Sequence, residues 1–181
     1  MTIAGSDSGG GAGIEADLKT FSALGVFGTC IITAITAQNT QGVREIFPLP
    51  SSIVRAQIRA VMEDIPVKAA KTGMLYSRGI MEVVAESVDD YGVKLVVDPV
   101  FKAGTGDSLI IEEDKNSLIE FILPRAEILT PNLLEAELIS GLKIRSLEDM
   151  KKVARKITGF GAEAVIIKGG HLKENDQKVY D

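Results

Sequence analysis

Histidine and cysteine are almost missing from this 181-residue chain, with one of each, His171 and Cys30. A single cysteine forms no internal disulfide. Cys30 lies in the apolar run CIITAITA and reads as a core thiol rather than a reactive one. His171 has no acid or nucleophile beside it in sequence and reads as a solvent-facing loop residue. Positive charge is also short: 20 Lys and Arg against 25 Asp and Glu leave a net charge of −5. That balance argues against nucleic acid or an anionic membrane as a partner. An anionic ligand must instead be held locally, by helix N-termini, single lysines or a metal ion. No uninterrupted apolar run approaches the roughly 20 residues of a membrane span. Glycines and Asp7 interrupt the apolar residues after Met1, so no signal sequence is expected there and a cytoplasmic location is. Two phosphate-loop patterns are missing as well, since there is neither a G-x-G-x-x-G register nor a G-x-x-x-x-G-K-[ST] loop.

What the chain does have, at its start, is a strand, a glycine-rich turn and a helix within Thr2 to Leu24, TIAGSDSGGGAGIEADLKTFSAL. Gly9, Gly10, Gly11 and Gly13 remove Cβ atoms, so main-chain N–H groups at the helix start are expected to approach a ligand closely. Ile14, Leu18, Phe21 and Leu24 recur at helical spacing, and Gly25 follows as a C′ residue. Asp7 and Asp17 flank the glycines, an arrangement that repels a bare phosphate and suits a ligand offering hydroxyl or amino donors. The loop reads as a substrate loop.

Apolar runs alternate with helical patterns from end to end, and 45% hydrophobic content suffices for one α/β domain over residues 1–181. Strands are expected near 2–5, 30–37, 66–71, 94–98, 127–130 and 164–168, with helices near 13–24, 52–64, 79–91, 114–123, 133–140 and 147–158. Ser51 or Ser52 is expected to cap the second helix, Gly92 to end the third, and Ser146 with Asp149 to start the last. Gly42 to Phe47 reads as a small lid strand, and another strand is expected at Lys178 to Tyr180. The fold class is therefore α/β, three layers around a mostly parallel sheet.

In such sheets the ligand crevice lies outside the carboxyl ends of the strands. Each expected strand ends in polar residues: Asp7, Gln38-Asn39-Thr40, Lys71-Thr72-Gly73, Asp98, Thr130-Pro131-Asn132 and Lys168-Gly169-Gly170. Gln38 presents an acceptor and donors side by side, the complement of an aminopyrimidine edge, although a glutamine here also suits a loop cap. Asn132 and Glu135 have the spacing of a capping box, and Glu135 with Asp98 also suits Mg²⁺ beside a nucleotide. Lys168, ahead of two glycines, is placed to meet phosphate oxygens.

Together, TIAGSDSGGGAGIEADLKTFSALG, ITAITAQNTQGV, KTGML, DPVFKAGTGDSL, LTPNLLEAELISG and VIIKGGHL resemble the hydroxymethylpyrimidine/phosphomethylpyrimidine kinases of thiamine biosynthesis, in the ribokinase-like superfamily. Pyridoxal kinases share the layout, but EADLKTF after the glycine loop and AQNTQGV favour the pyrimidine enzyme. The resemblance implies ATP- and Mg²⁺-dependent phosphorylation of 4-amino-5-hydroxymethyl-2-methylpyrimidine and then of its monophosphate, by a homodimer. It implies that Gln38 reads the aminopyrimidine and that Gly5, Ala12, Asp17, Met74 and Val100 complete its pocket. It places Asp98 and Glu135 at the metal and Asn132, Glu135 and Lys168 at the nucleotide.

Kinases of this family carry a Gly-Thr-Gly-Cys-type loop after the segment matching Lys168, and none follows here. The catalytic residue is therefore expected beyond Asp181, and a chain ending there is expected to be poorly soluble and inactive. Gly104-Thr105-Gly106-Asp107 precedes Asn132 instead of following Lys168, so Asp107 is not assigned as a base. A pyrimidine- or nucleotide-binding module without catalysis is the competing reading, and a nicotinamide-dependent oxidoreductase is disfavoured by the absent fingerprint.

Overall fold

Thr2, Ile3 and Ala4 form β1, buried at every position. In the computed structural model, which describes residues 1–102, 109, 114–170, 180 and 181, β1 lies between two parallel neighbours. The elements that follow are α1 (Gly13–Ala23), β2 (Cys30–Ile32), β3 (Ala34–Asn39), β4 (Gly42–Pro48), α2 (Ser51–Met62), β5 (Ala69–Thr72), α3 (Arg78–Tyr91) and β6 (Lys94–Val97). Then come α4 (Lys115–Ser117), β7 (Ala126–Leu129), α5 (Leu133–Ser140), α6 (Leu147–Thr158) and β8 (Ala164–Val165). Six parallel strands make the main sheet in the order β2-β1-β5-β6-β7-β8. This is the expected α/β arrangement around a parallel sheet.

The strand order dictates the layers. From β1 the chain steps one way to β2, whereas β5, β6, β7 and β8 step the other way. Parallel crossovers are right-handed, so helices that connect in opposite directions lie on opposite faces. Lys71 of β5 accordingly reaches Asp17 of α1, while Ala70 and Thr72 are buried on the other face. There Val54 and Ile58 of α2, Ile80, Met81 and Val84 of α3 and Val153 and Ile157 of α6 pack with Ile3, Leu95, Val97 and Leu129 in one core. On the α1 face, Lys71, Val96 and Ile128 share a register row and are only half-buried.

Several expected elements differ in detail. The strand expected over 30–37 divides at Thr33, whose N–H still donates to Ala4 O (3.0 Å) and whose carbonyl accepts from Leu49 N–H (2.9 Å). Beyond Thr33 the chain leaves the main sheet, and β3 pairs antiparallel with β4, the expected lid strand. Pro50, not Ser51 or Ser52, occupies the cap position of α2, and no side chain caps that helix. Where one helix was expected over 114–123, α4 runs into a wide turn over Leu118–Ile122, closed by Leu123 N–H to Leu118 O, and a tight one over Leu123–Arg125. Pro124 disfavours a continuing α-helix, and the change of pitch keeps Leu118, Ile122 and Leu123 buried. The apolar stripe of α1 is covered only in part: Ile14 is buried, Leu18 and Phe21 are half-buried, and Leu24 is 74% exposed. Cys30 is half-buried on the edge strand β2, and burial, with Glu15 adding to it, pushes its thiol pKa up. The strand expected at Lys178 to Tyr180 falls mainly on residues outside those described. Gly92 ends α3 in the left-handed conformation, and the Ser146 side chain accepts from Asp149 N–H at the start of α6, both as expected.

Two glycines with positive φ separate conformational strain from steric overlap. Gly25 has φ +70° and open space around a would-be Cβ, whereas at Gly13, φ +58°, the Cβ would lie 2.5 Å from Gly5 O. Gly25→Ala is expected to cost about 1–2 kcal/mol, the left-handed penalty alone. Gly13→Ala is expected to cost clearly more, because main-chain atoms must move. Urea unfolding of both variants checks this, and equal costs would show that the Gly13 turn yields freely.

Candidate active site at the carboxyl ends of the strands

The glycine loop is shaped by Asp7. Its Oδ1 accepts from Gly9 N–H (2.8 Å), and its Oδ2 accepts from Gly11 N–H (3.0 Å) and Ala12 N–H (2.8 Å). The loop amides expected to face a ligand therefore face this carboxylate. Asp7 is 5% exposed, its own N–H donates to Glu15 Oε2 (2.7 Å), and Lys19 Nζ ties down Gly10 O (2.6 Å). Gly13 completes the turn, letting Ile14 N–H reach Gly5 O (3.0 Å).

The same loop is fastened to β3. Ser6 N–H donates to Ala34 O (2.9 Å), and the Thr36 hydroxyl donates to Ser6 O (2.8 Å). Two residues on, the Ser8 hydroxyl donates to Gln38 O (2.7 Å) and accepts from Gln38 N–H (2.8 Å). The Thr33 hydroxyl donates to Met74 O (2.6 Å) and fixes the turn after β5. Thr36 Oγ1 also lies 3.4 Å from Gln38 Oε1, but its one proton serves the shorter bond to Ser6. No group among the described residues bonds Gln38 Nε2, so the carboxamide is available to a ligand.

The carboxylates of the site are already engaged. Asp17 accepts from Lys71 Nζ (2.9 Å) and from the Thr2 hydroxyl (2.6 Å), and so does not present an uncompensated charge beside the glycines. Asp98 accepts from Lys168 Nζ (3.0 Å). Glu135 and Asn132 form the capping box of α5: Glu135 N–H donates to Asn132 Oδ1 (2.9 Å) and Asn132 N–H to Glu135 Oε2 (2.7 Å). Burial raises the Glu135 pKa from 4.5 to about 6; Asn132 N–H and Lys168 oppose the rise and the charge of Asp98 adds to it.

These groups surround a cavity of about 330 Å³. Gly5, Ala12, Asp17, Gln38, Met74, Val100, Asp98, Glu135 and Lys168 all line it, and Asn132 stands behind Glu135 as its cap partner. Sequence reasoning missed Ser6, Thr36, Lys102 and Leu109 in the lining. Ser6 and Ser8 alternate with the period of Thr36 and Gln38, the one sequence signal for their pairing. Asp107 and His171 lie outside the described residues. The cavity sits at the carboxyl ends of β1 and β5, where the strand order reverses, as open α/β sheets place their ligands. Among the described residues no cluster of three or more His, Cys, Asp or Glu stands ready for a metal. Two carboxylates nonetheless suit Mg²⁺, which takes one or two such ligands beside phosphate oxygens and water.

The profile of the phosphomethylpyrimidine kinase family matches residues 7–181. The chain belongs to that family. It is 51% identical over 177 residues to the hydroxymethylpyrimidine/phosphomethylpyrimidine kinase of Bacillus subtilis (strain 168), covering 97% of this chain and 65% of that protein. The crystal structure of phosphomethylpyrimidine kinase from Clostridium difficile 630 superposes with a TM-score of 0.90 at 48% identity, over 99% of this chain and 82% of that one. The pyridoxal kinase of Staphylococcus aureus, in complex with AMP-PCP and pyridoxal, gives a TM-score of 0.86 at 39% identity, over 99% and 65%. The chain thus spans about 65% of the length of the Bacillus subtilis relative, and the same share of the Rhizobium meliloti one.

The pKa of Glu135 sets a pH dependence. A carboxyl with a raised folded-state pKa stabilises the fold fully below its unfolded value near 4.5, and that contribution is lost as pH rises through about 6. A rise of this size corresponds to about 2 kcal/mol. Glu135→Gln keeps an acceptor for Asn132 N–H and removes the titration. Between pH 4.5, where the unfolded carboxyl is already half ionised, and pH 7.5 the parent is expected to lose about 1.5 kcal/mol more unfolding free energy than this variant. Urea titrations at both pH values measure it, and parallel losses would show that Glu135 does not titrate in this window.

Proposed function

We propose that the chain holds substrate and nucleotide for the ATP- and Mg²⁺-dependent phosphorylation of 4-amino-5-hydroxymethyl-2-methylpyrimidine and of its monophosphate. The observation that carries this reading is the unengaged Gln38 carboxamide at one side of a cavity whose other side gathers Asp98, Glu135 and Lys168. Gln38 offers an acceptor to the exocyclic amine and a donor to the ring nitrogen. Gly5, Ala12, Met74 and Val100 supply small or apolar contacts for a flat ring. The Met74 Cε would lie 2.3 Å from a Cβ on Gly5, so the methionine fills the space that the glycine leaves. The names of the relatives support this choice of substrate, and the stronger identity to the pyrimidine kinases supports it over pyridoxal.

At the other side, Asp98 and Glu135 would hold Mg²⁺, which when bound offsets negative charge on phosphate oxygens. Lys168 supplies an ammonium for those oxygens, and Asn132 keeps Glu135 turned through the cap. A hydroxymethyl acceptor must also lose a proton. Asp7, Asp17, Asp98 and Glu135 each already accept from an amide or an ammonium. We therefore assign the proton acceptor to none of them, and place it outside the described residues.

Calorimetric titration with the aminopyrimidine tests the reading. Gln38→Leu is expected to weaken binding by roughly five- to a hundredfold, the cost of leaving one partner of a buried polar pair unmet. Unchanged affinity, or tighter binding of pyridoxal by the parent, would overturn the assignment. Glu135→Gln is expected to weaken ATP–Mg²⁺ while sparing the aminopyrimidine. If it binds ATP–Mg²⁺ as well as the parent does, Glu135 is a helix cap and nothing more.

A further inference from the structure

Ser8 is exposed and lies outside the cavity, yet its hydroxyl bonds both the main-chain N–H and the carbonyl of Gln38. A hydroxyl has one proton to give and lone pairs to receive, so it satisfies a neighbouring N–H and C=O together. Ser8 thereby does with its side chain what a third strand would do with its backbone. Two residues earlier, Thr36 N–H reaches Ser6 Oγ (3.2 Å) and the Thr36 hydroxyl reaches Ser6 O (2.8 Å), so the loop follows β3 with the period of a strand.

The hairpin alone does not fix Gln38. The register between β3 and β4 shifts there: Ala37 faces Glu45 and Gln38 faces Val43, leaving Arg44 as the extra residue. Such a bulge re-aims a side chain and loosens the local ladder. Among the described residues the carboxamide itself has only the 3.4 Å approach of Thr36 Oγ1 as a polar contact, so its direction follows from the main chain. Ser8, in turn, is anchored by the turn whose Gly9 amide bonds the buried Asp7.

We propose that Ser8 is a positioning residue that sets Gln38 against the amine-bearing edge of the substrate and makes the glycine loop and the β3–β4 hairpin one recognition unit. The proposal rests on the reading of Gln38 given above. It requires Ser8 to act through Gln38, on the amine-bearing edge of the ligand and on nothing else.

The test is calorimetry on Ser8→Ala, Ser8→Thr, Gln38→Leu and the double variant S8A/Q38L. Each is titrated with 4-amino-5-hydroxymethyl-2-methylpyrimidine and with its analogue lacking the 4-amino group. Because Ser8 is exposed, its replacement leaves the core intact. Ser8→Ala is expected to weaken the aminopyrimidine by roughly three- to tenfold, the scale of one or two hydrogen bonds. The analogue is expected to bind unchanged, Ser8→Thr to restore affinity, and Ser8→Ala to add nothing once Gln38 is leucine. Full affinity in Ser8→Ala beside a weakened Gln38→Leu would overturn the role of Ser8 and leave the reading of Gln38 standing. Equal losses for both ligands, or effects that add in the double variant, would show a general loosening of the loop and also overturn it. Unchanged binding in Gln38→Leu would remove the reading and the proposal together.

Discussion

The Asp7 carboxylate is 5% exposed, has no ion-pair partner among the described residues, and is held by the N–H groups of Gly9, Gly11 and Ala12. Removing a carboxylate from water costs several kcal/mol unless hydrogen bonds replace the lost hydration. Three main-chain donors do this here, two of them from Gly9 and Gly11, which carry no Cβ. A Cβ on Gly9 would lie 3.2 Å from Asp7 Oδ1. The loop is thus wound about its own anion. Its winding sets where α1 begins, and with it the direction in which Asp17 meets Lys71.

The two ion pairs of the cavity differ in kind. Asp17 and Lys71 are 19% and 26% exposed at their side chains, and Asp17 also accepts from the fully buried Thr2. Asp98 and Lys168 are 28% and 47% exposed and have no such third partner among the described residues. An ion pair this open is worth at most about 1 kcal/mol, so a metal ion or a phosphate oxygen displaces either partner at little cost. The first pair holds α1 against β5; the second is exchangeable, as the proposed nucleotide site requires. Glu135 sits between these cases, its cap bond anchoring one oxygen while burial and Asp98 disfavour its charge.

Much of this was legible in the sequence because it rests on local rules. The alternation of apolar runs and helical periods gave a parallel sheet, and residues just after each run converge in any such sheet, which is why Asp98 and Lys168 meet; Gln38 reaches the same cavity by another route, on the hairpin strand β3 that leaves the sheet at Thr33. The Asn132–Glu135 spacing specifies a capping box whether or not the site binds anything. The structure shows the cap directly, while its proposed part in binding rests on a different property, the proximity of Asp98. What stayed illegible depends on long-range pairing. Nothing in CIITAITAQN marks Thr33 as the point where the chain changes sheets, since the apolar run continues through it. The break is imposed by Ala4, Leu49 and Met74, which take the N–H, carbonyl and hydroxyl of Thr33 in three directions. The target of Asp7 was hidden likewise: a glycine-rich turn before a helix offers amides to any anion, and spacing does not say that the anion is Asp7, at the head of the same turn.

That internal anion also divides the cavity chemically. With its amides engaged by Asp7, the glycine loop offers little to a phosphate, and on the proposed reading the phosphates fall to Lys168 at the β7–β8 side of the sheet. The β1 and β3 side is left with a neutral carboxamide, small residues and Met74, a surface for a flat polar ring. On the proposed reading the ring and the phosphates must therefore approach from opposite sides and meet over β5 and β6. There Gly73 keeps the floor low: a Cβ at that position would lie 3.0 Å from Ala4 Cβ and 3.1 Å from Lys71 Nζ. The reversal of strand order beside β1 makes room for such a meeting, because crossovers leaving in opposite directions open a crevice at the strand ends. Substrate orientation is then a consequence of where the chain satisfies its own buried charge.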